Sequence, residues 1–142
     1  MTFPEEIDFE RPSPLDQLQV AFAMRIARDI VAADGLLDAD EIKLLMTVFP
    51  DPLMRKCDFL EEDTQLSEAY HRAYVEAVRV LPLALETSQK LALISLFHEA
   101  CMVDGVLHPA EMRVLRASAE TLDLEESVLS EHLMRLDGSR RT

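Results

Sequence analysis

The chain has 142 residues and carries 27 acidic against 14 basic side chains, a formal net charge of −13. At 49% hydrophobic residues it is too apolar for a disordered acidic tail, and its length suffices for one domain with its own core. Nucleic acids and anionic membranes both attract dense Lys and Arg, so the negative charge argues against either as the main partner. No segment is apolar for long enough to insert directly into a membrane, and the acidic, proline-containing start is not typical of a signal peptide.

The predicted elements are helices throughout, since glycine is scarce and Ala, Leu, Met and Glu are abundant. A flexible arm over residues 1–12 precedes a first helix, for which Ser13 is the predicted N-cap and Gly35 the predicted end. The second helix follows at once, because Asp38 opens a capping box with the glutamate three positions later. It is expected to run as far as Pro50.

The middle of the chain, residues 50–84, is predicted to be a linker that contains a short helix and a longer one. The longer helix begins near Ser67 and is expected to stop at Pro82, because proline lacks the N–H that continues a helix. The next helix, over 87–103, is apolar almost all round, which predicts that it is the central and most buried one.

Two further helices complete the predicted fold. One opens at His108 and continues to Leu122, and the last covers 125–136 before a flexible polar tail over 138–142. The predicted architecture is therefore an all-α, single-domain bundle of six to seven helices. The domain is predicted over 13–137, with two pseudo-symmetric helix–loop–helix units at 15–49 and 87–122.

The two units are predicted because one sequence motif occurs twice, 70 residues apart. DGLLDADE at 34–41 and DGVLHPAE at 104–111 share Asp, Gly, Leu and Glu at matching positions. Glu41 and Glu111 have a mechanical explanation, since a carboxylate at the third position of a helix meets free backbone N–H groups. Asp34 and Asp104 instead follow helix C-termini, where negative charge is disfavoured, so each is expected to have a compensating partner. That partner is a loop N–H, a basic side chain or a cation.

The loops do not match an EF-hand, because its first and third ligand positions would fall on Ile30 and Ala32 in one copy and on Ala100 and Met102 in the other. Helix capping alone explains much of the motif. A shared site stays open if the two loops lie side by side, and an all-oxygen cluster there would suit Ca²⁺ or Mg²⁺. The candidate ligands are Asp34, Glu41, Asp104 and Glu111, with Asp38 and His108 as additional candidates.

The motif residues, read as AADGLLDADE and MVDGVLHPAE, carry a family resemblance. The chain resembles the TerB-like family, the helical domains of bacterial tellurite-resistance proteins, and is similar to the N-terminal domain of DjlA-type co-chaperones. The resemblance implies an all-α, pseudo-duplicated fold, divalent-cation binding by the acidic motif residues, and a role in tellurite resistance or stress response. It also implies protein partners among membrane-associated Ter-type proteins, which would bring a cytoplasmic protein to the inner face of the membrane.

The sequence contains no phosphate-binding glycine loop, nucleophile elbow or paired-histidine metal motif, so the chain is predicted to be non-enzymatic. Cys57 and Cys101 are predicted to be small core residues rather than nucleophiles. The leading hypothesis is an acidic interaction module that holds a divalent cation and needs no other cofactor. The alternative is a metal-independent adaptor that recruits a basic protein partner.

Overall fold

The computed structural model describes residues 10–33, 39–62, 65–102 and 108–141. Seven α-helices occur within these residues, so the predicted all-α class is confirmed. They are α1 (Pro14–Val31), α2 (Ala39–Val48), α3 (Asp51–Lys56), α4 (Glu68–Ala84), α5 (Thr87–Cys101), α6 (Pro109–Thr121) and α7 (Glu126–Arg141).

The first helix begins as its sequence predicts. The hydroxyl of Ser13 accepts a hydrogen bond from the Asp16 N–H, and the Asp16 carboxylate accepts one from the Ser13 N–H, both at 3.0 Å. This reciprocal pair satisfies two backbone donors that a helix start otherwise leaves unpaired. Pro14, whose ring fixes a helical φ, occupies the first helical position.

Helix α1 lies at the centre of the bundle and makes its main contacts with α2, α4, α5 and α6. Its inward side chains, among them Val20, Phe22 and Ile30, are completely buried. Helix α5 is heavily buried as predicted, yet α1 packs against more of the other helices. The central helix of the bundle is therefore α1, and not α5 as predicted.

Helix α4 does not stop where its proline predicts. It passes through Pro82 and ends at Ala84, and the N–H of Leu85 still donates to the carbonyl of Leu81 at 3.0 Å. Proline removes only its own N–H donor, and the residues after it can still bond backwards. The predicted stop at Pro82 is wrong because a proline this close to a helix end interrupts a single hydrogen bond.

The C-terminal helix is longer than predicted, since α7 continues from Glu126 through Gly138 to Arg141. The expected helix end at 136 is therefore wrong, and residues 138–141, which were expected to form a polar tail, continue the helix. Asp137, just beyond the predicted end, lies 3.4 Å from the buried imidazole of His98 on α5, measured from Oδ1 to Nε2. That contact connects the end of α7 to α5, and it is ionic only when the imidazole is protonated.

The helices that flank the two copies of the motif have the same spacing as the motif itself. Helices α1 and α5 end at Val31 and Cys101, 70 residues apart, and α2 and α6 begin at Ala39 and Pro109, again 70 residues apart. The two loops are therefore the same length and lie between helices that end and begin at matching positions.

The residues that follow α1 and α5 also share a backbone conformation. Ala32 has φ −96° and ψ 0°, and Met102 has φ −100° and ψ 12°. Helix α1 ends at Val31, before Gly35, which was expected to end it and which lies outside the described residues. In both copies the chain leaves the helix through a residue with negative φ.

Candidate functional site

Of the six candidate metal ligands, the structure describes the side chains of two, Glu111 and His108, at the start of α6. Glu41 lies in the first turn of α2, where only its backbone is described. Asp34, Asp38 and Asp104 lie outside the described residues. The structure thus covers the helical half of the second motif and leaves its loop half as a prediction.

Glu111 is the third residue of α6 and is buried, with 7% of its surface exposed. At this position its carboxylate meets the free N–H groups and the positive end of the helix dipole. Nε2 of His108 lies 4.0 Å from Oε1 of Glu111, a contact that is ionic only when the imidazole is protonated. Buried glutamates are rare unless they are paired, because burial disfavours the ionised carboxylate. Positive charge close to the carboxylate of Glu111 would therefore stabilise its ionised form strongly.

Cys101, the last residue of α5, lies close enough to Glu111 for the two to interact electrostatically. Burial raises the pKa of the Cys101 thiol to about 12, and the negative charge of Glu111 adds to the effect. Burial likewise raises the pKa of Cys57 to about 11, with a smaller contribution from Asp16. Both cysteines are buried free thiols that stay protonated at neutral pH, as expected of core residues rather than nucleophiles.

Within the described residues, no group of three or more His, Cys, Asp or Glu side chains is arranged to hold a metal ion. Since three of the four main candidates depend on residues or side chains outside that part, the convergence of the two loops stays a prediction.

A second polar cluster, between α5 and α7, was not predicted. The Ser95 hydroxyl lies 2.8 Å from Nε2 of His132 and donates its proton to the Leu91 carbonyl at 3.1 Å. Burial, together with the nearby Arg135 and His98, lowers the pKa of His132. The contact between Ser95 and His132 joins α5 to α7.

These observations define a class, an all-α domain in which two helix pairs with equal spacing frame a duplicated acidic motif. The family Tellurite resistance protein TerB matches residues 19–132, which is most of the chain. The chain belongs to the TerB family. No curated protein and no solved structure matches it significantly. Among the described helices, none is both long and apolar enough to span a membrane.

Proposed function

We propose that this TerB domain is a non-catalytic binding module that holds one Ca²⁺ or Mg²⁺ between its two Asp-Gly loops. The ligands would be the carboxylates of Asp34, Glu41, Asp104 and Glu111. The single observation that supports the proposal most is the burial of Glu111 at the third position of α6. A carboxylate so placed gains from a nearby cation, and the equal spacing of the helices gives Glu41 the same position in α2.

The chemistry of the surrounding groups favours a hard cation over a soft one. Cys101, which interacts electrostatically with Glu111, is kept protonated by burial and by that negative charge, and a thiol is a poor ligand for Ca²⁺ or Mg²⁺. Carboxylate oxygens are the ligands that both of these ions prefer. His108, partly exposed beside Glu111, is an additional ligand only for a transition metal.

The test is a titration of the full ¹⁵N-labelled chain with CaCl₂ and separately with MgCl₂, followed by backbone amide spectra. We expect saturable shifts that cluster at 34–41 and 104–111. Glu111→Gln removes one charge while keeping the shape of the side chain, and it should weaken binding by about tenfold or more. Glu120→Gln, an exposed position on the same helix, serves as the matched control and should bind as the wild type does.

Two results would contradict the cation site. One is the absence of clustered shifts with either ion, and the other is equal binding by wild type and Glu111→Gln. The alternative, a metal-independent adaptor for a basic partner, is favoured by the net charge of −13. A lysine-rich peptide that binds equally well with chelator present, and less well at high salt, would support the adaptor instead.

The family name also supports a cellular proposal, a role in tellurite resistance or stress response together with Ter-type partners at the inner face of the membrane. A strain that lacks the gene should become sensitive to potassium tellurite. Complementation by Glu120→Gln but not by Glu111→Gln would link that phenotype to the cation site. Unchanged sensitivity in the deletion strain would rule out the tellurite role.

A further inference from the structure

A pocket lined mainly by basic side chains lies between α1 and α4, on a chain that is acidic overall. It has a volume of about 340 Å³ and is lined by Arg25, Arg28, Asp29, Ala32 and His71. We call it the basic pocket. Its size lies at the lower end of the range for small-molecule sites, so it can admit a small ion or a short ligand.

Arg25 is held in place at one side of the basic pocket. It forms an ion pair with Asp29, with 3.4 Å between Nε and Oδ2, and its guanidinium carbon lies 4.9 Å from the centre of the Tyr74 ring. A guanidinium fixed by both a carboxylate and an aromatic face loses little further freedom when it binds a ligand.

Arg28, one helical turn further along α1, is exposed and lines the same pocket. Among the described acidic residues, none forms an ion pair with it; Asp29 is engaged with Arg25 instead. Its positive charge attracts an anion that enters the basic pocket.

Tyr70, next to His71 on α4, carries a buried hydroxyl close to Arg28. The residue is completely buried, and its ring packs edge-on against His71 with centroids 5.1 Å apart. No described residue accepts a hydrogen bond from the hydroxyl, although Arg28 lies close enough to donate one to its oxygen. Burial raises the pKa of Tyr70, and the positive charges of Arg28 and Arg25 oppose that rise. Since a guanidinium can only donate, Arg28 offers no acceptor for the phenol proton.

We propose that the basic pocket binds a small oxyanion, phosphate or the phosphate group of a monoester, through Arg25, Arg28 and the hydroxyl of Tyr70. The fork of Arg28 matches the geometry of phosphate oxygens, and an oxyanion would supply the acceptor that the phenol proton lacks. Ala32 marks the C-terminal end of α1, whose carbonyls repel anions, so the side chains alone must supply the attraction. Binding is accordingly weak, with a dissociation constant of about 1 mM.

The test is a phosphate titration of the full ¹⁵N-labelled chain at constant ionic strength, with chloride as the balancing anion. We expect saturable shifts at amides 25–32 and 68–75. Arg28→Ala should weaken binding by about tenfold, and Tyr70→Phe, which keeps the ring and loses the proton donor, by about threefold. Arg79→Ala changes the net charge equally, at an exposed arginine of α4 that pairs with Glu76, and should change binding by less than about twofold.

The proposal is overturned if the amide shifts do not saturate by about 50 mM phosphate, since binding that weak does not require a preformed pocket. It is also overturned if Arg28→Ala and Arg79→Ala weaken binding equally, because the effect would then be one of net charge. A Tyr70→Phe variant that binds as the wild type does would remove the hydroxyl from the site and the proposal with it. A parallel titration with glycerol 3-phosphate separates the two sources: tighter binding than phosphate assigns a monoester, and weaker binding assigns the free ion.

Discussion

Replacing Tyr70 by phenylalanine should make the protein more stable in the absence of phosphate. The hydroxyl is completely buried, and no described group accepts its proton. A buried polar group left unsatisfied costs about 1–3 kcal/mol, while the donor that Arg28 offers to the phenol oxygen returns about 1 kcal/mol of it. The net gain from removing the hydroxyl is therefore about 1 kcal/mol, or roughly 3 °C in Tm for a domain of this size.

Phosphate should shrink that difference. At ten times its dissociation constant, phosphate stabilises the wild type by about 1.4 kcal/mol, whereas a variant that binds threefold more weakly gains about 0.9 kcal/mol at the same concentration. The stability advantage of Tyr70→Phe then falls to about 0.5 kcal/mol. Urea unfolding followed by circular dichroism, in chloride and in phosphate at equal ionic strength, measures both values. A variant less stable than the wild type in chloride would refute the reasoning, because the hydroxyl would then have an acceptor.

Three further predictions follow from local features. Gly138→Ala should stabilise the end of α7 by about 0.5 kcal/mol, because alanine favours a helix more than glycine does and a Cβ at this position meets nothing within 4 Å. Amide hydrogen exchange at the end of α7 should slow accordingly. Unchanged exchange would indicate that the last turn is not helical in solution. The thiol pKa values are raised to about 11 for Cys57 and about 12 for Cys101, so in native protein at pH 8 a disulfide reagent should react about a hundredfold more slowly with Cys57, and about a thousandfold more slowly with Cys101, than in the unfolded chain. Rapid labelling of Cys101 would contradict this. Because the pKa of His132 is lowered from 6.5 in the folded protein, the unfolded chain binds this proton first as the pH falls. The free energy of unfolding therefore decreases below about pH 6.5. In urea unfolding, that free energy should fall less between pH 8 and pH 5.5 for His132→Gln than for the wild type, and an equal fall would contradict the assignment.

Local signals predicted the helix starts better than the helix ends. The capping box at Ser13 involves groups three residues apart, so the sequence contains everything that the interaction needs. The ends of α4 and α7 depend on distant contacts or on the position within the helix. A proline predicts a helix end without regard to how few hydrogen bonds follow it, as at Pro82, and Asp137 contacts a histidine on another helix.

The same distinction separates the two candidate sites. Glu111 could be identified because the motif repeats, and its place in the first turn follows from the sequence alone. The basic pocket could not be identified, because Arg28 and His71 come from helices whose mutual packing no periodicity in the sequence specifies. A hydrophobic pattern shows which face of a helix is inward, and it does not show which partner that face meets.

The net charge of −13 therefore excludes less than it first indicates. A nucleic acid or an anionic membrane contacts an extended surface, so its binding depends on the average charge of that surface, which is unfavourable here. A single phosphate in a pocket interacts mainly with charges within about 8 Å, the screening length at physiological salt. Arg25, Arg28 and the nearby hydroxyl of Tyr70 form such a local set, in which Asp29 offsets only one of the two arginine charges, even though the chain as a whole is acidic. The composition thus argues against large polyanions and leaves a small oxyanion as a ligand.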